Sequence, residues 1–481
     1  MARHLCRAAL ALASCTAGSG CVSLRRPLPP GLSCQGQPAP APAARLLLDV
    51  TYLDADGQRH SEQEIFDEAM ALIRGARRLI LADFFLYNEF QGNSRERHRA
   101  LCGELTRALL EQKQRHPGLD IVVITDPINT AYGGTAAPHL DQLRAAGIPV
   151  VITNLDRLPD SVPLYSLPWR LLVKPFGQSR ASGGWLPNPF GEGRIGLRAW
   201  LRLLNFKANH RKVLIADRDG RMLGLVASAN PHDASSAHSN CALVFDGAAV
   251  LDLYNSERAV LAFSSTAPPP EWPPEIAAPA ADAAAAAPTA QVLTEGKIRE
   301  AVLEDLGQAG PGDRADLVMF YLSDRAVIAA LKAAHRRGAQ VRVLLDPNKD
   351  AFGRTKNGIP NRQVARELNA AGIPVRWMDT HGEQAHTKLL LLRAADGRRS
   401  LHLGSANFTR RNLADLNLET NVRVRGPADA AVFAEADAFV ETAWNNTPGR
   451  HISVPYPAYA DESRWRVILY RLMEATGLST F

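Results

Sequence analysis

The sequence predicts an α/β protein made of two duplicated lobes, each a mixed β-sheet flanked by helices. Three observations carry that expectation. Short apolar runs alternate with longer amphipathic ones in both halves of the chain. Two stretches recur almost literally: Ile124-Thr125-Asp126-Pro127 returns as Leu344-Leu345-Asp346-Pro347, and the run from Leu143 to Val150 returns from Leu368 to Val375 around Ala-Gly-Ile-Pro-Val. A polar pattern also repeats. His210-Arg211-Lys212 is followed by Ser228-Ala229-Asn230, and His386-Thr387-Lys388 by Ser405-Ala406-Asn407, with Lys-to-Ser separations of 16 and 17 residues.

Taken in order, residues 1–22 have the form of an export signal: Arg3, His4 and Arg7 precede Ala8 to Ala13 and a run of small residues. Cys15 and Cys21 each sit in a lipoprotein-like cleavage box and are the lipidation candidates. A single acyl-type anchor holds weakly and calls for a second contact. Residues 23–44, rich in Pro and Gly, read as a tether. The first lobe then spans 45–265. Its strands are expected at Arg45–Val50, Leu79–Leu86, Ile121–Thr125 and Ile148–Thr153, and a helix should start at the capping box Ser61-Glu62-Gln63-Glu64. Residues 266–290 are a Pro- and Ala-rich linker. The second lobe, 291–450, repeats the plan with strands at Leu317–Leu322, Val341–Leu345 and Ile373–Met378 and a helix over Arg325–Arg337. Residues 451–481 form a helical tail, with Trp465, Ile468, Leu469, Leu472 and Met473 on one side, a face expected to dock on the body.

The lobes differ in length. Asp126 precedes His210 by 84 residues, whereas Asp346 precedes His386 by 40, so the first lobe carries an insertion at about 157–204. Arg194, Arg198 and Arg202 fall there at helical spacing among aromatic residues. Two readings stand: a basic amphipathic surface lying in a membrane interface, or a helix packed on the lobe with a solvated Arg face.

Net charge is +6, which suits an anionic partner, lipid head group or nucleic acid. The six cysteines form no Cys-x-x-Cys pair and no zinc spacing. The repeated residues suit a phosphodiester. A neutral imidazole can attack phosphorus, and a protonated one can hand a proton to the departing oxygen. Lysine neutralises non-bridging oxygens, and Asn and Ser add donors. This makes His210, Lys212, His386 and Lys388 the catalytic candidates and Ser228, Asn230, Ser405 and Asn407 the phosphate-binding ones, with no metal or other cofactor called for. Asp126 and Asp346 read as strand-ending turns. His232, His238 and His381 read as loop or rim residues, and His335 and His402 as surface or packing residues.

These residues resemble the phospholipase D superfamily, whose signature is His-x-Lys-x4-Asp followed by Gly-Ser-x-Asn. Over about residues 45–445 the resemblance implies two lobes related by a pseudo-twofold axis, with both motifs facing one shared cleft. His210, Lys212 and Asp217 meet the first part of the signature, and Gly404-Ser405-Ala406-Asn407 the second. Glu419 occupies the place of a carboxylate that orients a histidine; in the first lobe Asn240 falls near that place and Ala227 replaces the glycine. Arg393 stands where the second lobe would carry the signature Asp. Asp217, Asn240 and Glu419 are therefore supporting residues.

By this resemblance one histidine is phosphorylated by the substrate and the other protonates the leaving alcohol, His210 being the preferred nucleophile. The implied activity is that of a phospholipase D or cardiolipin synthase-like phosphatidyltransferase on membrane phospholipid. Water or an alcohol is the acceptor, the protein is a monomer, and it sits in the bacterial cell envelope on the periplasmic side. The alternatives are a nuclease of the same superfamily and a non-catalytic lipid-binding member. Nucleic acid is the less favoured partner, because no Arg/Lys run tracks a backbone.

Overall fold

The structure, a computed structural model, describes residues 27–92, 96, 98–176, 184–190, 193–273, 287–479 and 481. The export signal, Cys15 and Cys21 lie outside the described residues, as do residues 274–286 of the linker.

Two large mixed sheets organise the chain. The first runs, edge to edge, Arg59–Glu62, Arg45–Leu53, Asn240–Phe245, Arg221–Ala227, Lys212–Arg218, Leu79–Phe84, Asp120–Thr125, Val150–Ile152. The second runs Ala39–Pro40, Thr289–Thr294, Thr420–Pro427, Arg398–Gly404, Lys388–Arg393, Arg314–Met319, Gln340–Leu345, Val375–Met378, Ser453–Pro455. From Arg45–Leu53 in one and Thr289–Thr294 in the other, seven strands follow the same order. The last three are parallel in both sheets, and the strand carrying each Lys is antiparallel to its neighbours. Fully apolar runs such as Leu79-Ile80-Leu81 are what a strand covered on both faces requires.

The two sheets share one core. Leu81, Ile215 and Leu243 of the first lobe join Leu389, Leu401 and Val422 of the second in a single buried cluster. Helices Ile65–Gly75 and Leu101–Arg115 cover the outer face of the first sheet. Gly296–Gln308, Arg325–Arg336 and Asn361–Ala370 cover that of the second. Burial of apolar area across this interface is the term that holds the lobes together.

Several expectations are corrected. Ser61 does not cap a helix; it lies in the strand Arg59–Glu62, and the buried carboxylate of Asp49 accepts the free N–H groups of Glu64 and Ile65 at 2.8 and 3.1 Å. An acceptor from a neighbouring strand satisfies the helix start as well as a local one does. The segment read as a tether is, from Ser33 on, laid along the second sheet. Ser33 and Cys34 N–H donate to Glu295 and Thr294, both at 2.7 Å, and Ala39–Pro40 pairs with Thr289–Ala290. Proline is tolerated there because an edge strand has N–H positions that need no partner.

In the insertion, helices form over Pro163–Leu172 and Leu197–Leu203, while Arg194 belongs to a two-residue strand. The long basic helix through Arg194 is not formed, and Arg202 turns inward over the Tyr132 ring. The tail helix, Arg464–Thr476, docks with only part of its apolar side. Leu469, Tyr470 and Met473 pack inward, while Trp465, Ile468 and Leu472 are exposed. No helix among the described residues is long and apolar enough to cross a membrane.

Candidate active site

Each histidine precedes its strand by two residues and sits at the junction of the lobes. The segment before His210 pairs with the second lobe, His210 N–H donating to Leu418 O at 2.9 Å; His386 N–H donates to Ser239 O of the first lobe at 2.8 Å. The side chains cross in the same way. His210 Nδ1 meets the Glu419 carboxylate at 2.9 Å, and His386 Nδ1 meets Asn240 Oδ1 at 3.1 Å. Each imidazole is thus oriented through Nδ1 by the opposite lobe, and Nε2 is the ring nitrogen on the far side from that anchor.

The surroundings repeat with the same symmetry. Phe85 lies 4.8 Å from the His210 ring and Phe320 lies 4.8 Å from the His386 ring, both at 58°. Lys212 Nζ donates to His210 O at 2.5 Å and Lys388 Nζ to His386 O at 2.8 Å. The two ammonium groups stand 5.1 and 5.2 Å over Phe85 and Phe320.

Asp126 and Asp346 do more than end strands. Their carboxylates accept the N–H of Asn209 and Ala385, the residues before each histidine, both at 2.8 Å. Burial pushes these two carboxyls up to about 7 and about 6. Sequence reasoning missed this role; the signal was the recurrence of Asp-Pro at the same offset before each lobe's second crossover.

Ser228 and Ser405 are not free to bind phosphate. Both are fully buried; Ser228 Oγ donates to Asn240 at 2.9 Å and accepts Cys241 N–H at 3.0 Å, and Ser405 Oγ donates to Glu419 while accepting Thr420 N–H at 2.9 Å. They position the residues that orient the imidazoles. Asn230 Oδ1 accepts Leu86 N–H at 3.1 Å, while the buried Oδ1 of Asn407 has no partner among the described residues.

Asp217 lies at the far end of the strand that Lys212 begins, five residues on and hence roughly 17 Å away. Its carboxylate accepts N–H groups of Arg77, Arg78 and Leu79, the last two at 2.8 and 2.9 Å, and so fixes the start of the adjacent strand. Arg393, its counterpart, pairs instead with Asp316 and Asp437. At both positions the charge holds neighbouring segments together and does not reach the histidines.

His232 and His238 are buried wall residues rather than rim residues. The Phe352 ring contacts both, at 5.3 and 5.6 Å, and the His238 ring lies 6.0 Å from His386. His381 is an exposed loop residue that pairs with Asp379, and His402 is a packing residue paired with Asp305 at 2.6 Å.

Burial holds four basic groups of the site below their usual values. Burial pulls His210 down to about 4 against the opposing pull of Glu419, and the ammonium groups of Lys212 and Lys388 act in the same direction as burial. Burial, with Lys388, His238 and Lys212, holds His386 well below the usual imidazole value. Burial also lowers Lys212 to about 7, and burial with the charge of Lys212 lowers Lys388. Each lobe's cation is felt by the other lobe's histidine, as a shared site requires. A phosphate between them would relieve all four groups at once.

Residues 302–444 match the family model described as "Cardiolipin synthase, PLD-like domain". No curated protein matches the chain in sequence. Among solved structures, the phosphatidylserine synthase of Haemophilus influenzae Rd KW20 is similar over 92% of this chain and 96% of its own, with a TM-score of 0.57 at 11% identity. The phospholipase D family member Nuc from Salmonella typhimurium aligns over 34% of this chain and 97% of its own, with a TM-score of 0.26 at 23% identity. The chain is thus similar in sequence to a PLD-like domain over residues 302–444 of its second lobe, and nearly its whole length is similar in fold to the phosphatidylserine synthase.

Proposed function

We propose that this protein is a phosphodiesterase acting on membrane phospholipids through a phosphohistidine intermediate, by hydrolysis or by phosphatidyl transfer to an alcohol. The observation that carries the reading is the crossed anchoring of the two imidazoles, His210 on Glu419 and His386 on Asn240.

His210 is the nucleophile. Its Nε2 lone pair forms the bond to phosphorus, and the P–O bond to the leaving alcohol breaks. The ring becomes cationic as it does so, and the Glu419 carboxylate stabilises that charge on the Nδ1 side. His386, beside a neutral amide, suits proton transfer. As imidazolium it gives its Nε2 proton to the departing oxygen, and as neutral imidazole it takes one from the incoming water or alcohol. Substrate phosphate supplies the negative charge that returns His386 and the two lysines to their protonated forms. Lys212, Lys388, Asn230 and Asn407 hold the non-bridging oxygens. Export, lipidation at Cys15 or Cys21 and an envelope location belong to the same proposal.

The test is product analysis on vesicles of phosphatidylglycerol and phosphatidylethanolamine, with and without added alcohol. Phosphatidic acid without alcohol, and a new phosphatidyl ester with it, are expected. Salt-sensitive DNA cleavage with no lipid product would replace this reading with the nuclease.

A further inference from the structure

Large apolar side chains exposed to solvent are concentrated in two segments of the chain. Of the eleven such residues among those described, ten lie in the insertion or the C-terminal tail, and only Leu251 lies elsewhere. On helix Pro163–Leu172 the exposed positions Leu164, Leu171 and Leu172 share a face, while Ser166 and Trp169 face inward. On helix Arg464–Thr476 the exposed Trp465, Ile468 and Leu472 recur at i, i+3 and i+7, opposite the buried Tyr470. Leu164 is 78% exposed and Trp465 69%, so neither helix covers the other's stripe.

The two helices are neighbours, and they adjoin the cleft. Gly477, at the end of the tail helix, lies so close to Ser161 that a Cβ there would stand 2.2 Å from its carbonyl oxygen. Arg411 donates to Gly477 O at 2.6 Å and covers the Phe206 ring, four residues before His210. On the other side, ring contacts run from Phe481 to Tyr321 to Phe320 to His386 at 6.0, 4.1 and 4.8 Å. The exposed Arg464 and Arg471 border the tail stripe, and neither has an acidic partner among the described residues.

We infer that these outward faces form a docking surface for a lipid bilayer bearing anionic head groups, placing the mouth of the cleft against the lipid surface. Exposed apolar faces on two adjoining helices mark an interaction site. Aliphatic and Trp side chains flanked by arginines match the boundary between acyl chains and anionic head groups. The inference rests on the proposed phospholipid reaction and adds the face through which substrate is reached.

The test uses the full chain and sedimentation with phosphatidylcholine vesicles, with and without phosphatidylglycerol. Two double variants are compared with the parent, Leu171→Glu with Leu172→Glu and Ile468→Glu with Leu472→Glu. Each pair should weaken vesicle affinity by at least about tenfold, because buried apolar side chains dominate such binding. Turnover of a short-chain phospholipid dissolved as monomers should stay unchanged. Parent-like vesicle affinity in both pairs, or a parent chain that does not bind vesicles, overturns the surface. So does loss of self-association at unchanged vesicle affinity, which would mark a protein contact. Variant-sensitive vesicle binding by a parent chain that turns over neither form of lipid supports the surface and removes the proposed reaction instead.

Discussion

Replacing Glu419 by Gln tests the division of labour between the two histidines. The carboxylate is fully buried and binds His210 Nδ1 at 2.9 Å, with Ser405 and Asn412 as its other partners. Glutamine keeps the shape and an acceptor but removes the charge. A hydrogen bond involving a charged group contributes about 1.5–3 kcal/mol and a neutral one about 0.5–1.5. The cationic phosphoimidazole therefore loses about 1–2 kcal/mol of stabilisation, a factor of about 5–30 in rate. The assay is the burst of nitrophenolate from a nitrophenyl phosphodiester, which reads formation of the covalent intermediate, because this leaving group departs without a proton. A burst rate within twofold of the parent would refute the assignment of His210 as nucleophile. So would a loss seen only with alkyl leaving groups, since that is the signature of the proton donor.

Two further outcomes follow from the same site. In the free enzyme burial lowers Lys212 to about 7 while His210 is neutral above about 4. The charged lysine is the binding form, so with a nitrophenyl diester, whose leaving group needs no proton from His386, kcat/KM should be highest between these values and fall as pH rises through about 7; a profile flat to pH 9 contradicts this. Gly404 has φ of +151°, and a Cβ there would lie 2.4 Å from Thr420 O, whereas Ala227 occupies the equivalent place in the first lobe without conflict. Gly404→Ala should cost about 1–3 kcal/mol in chemical denaturation and impair turnover through the adjoining Ser405–Asn407 turn, while Ala227→Gly should cost at most about 1 kcal/mol. Equal effects of the two substitutions would show that the asymmetry between the lobes has no structural cause.

The duplicated plan was legible because both halves use the same apolar runs, stopped by the same Asp-Pro and Ala-Gly-Ile-Pro turns. The candidate site residues were legible because the same residue types recur at nearly the same spacing in the two halves of the chain. What the sequence hid is what depends on contacts between distant segments. The resemblance gave Glu419 a histidine to orient, but nothing local says that it is the one 209 positions before it, in the other lobe. Nor does anything local say that Asp49 rather than Ser61 closes a helix start, or that residues 33–40 lie on the second sheet. His238 is hidden for the same reason. Its loop is polar, yet Phe352 from the other lobe covers it and turns a rim position into a cleft wall. The tail helix shows the limit of periodicity. A broad apolar arc marks a helix, but which part of the arc meets protein is decided by the partner's shape.

The proposed mechanism needs two imidazoles at one phosphorus, and trapping the intermediate tests that most directly. His386→Asn removes the proton donor but leaves His210 on Glu419. Mixed with a nitrophenyl phosphodiester, this variant should release close to one equivalent of nitrophenolate in a burst, and peptide mass spectrometry should find the phosphoryl group on His210. A burst with the adduct on any other residue, or no adduct in a folded variant, would contradict the shared site.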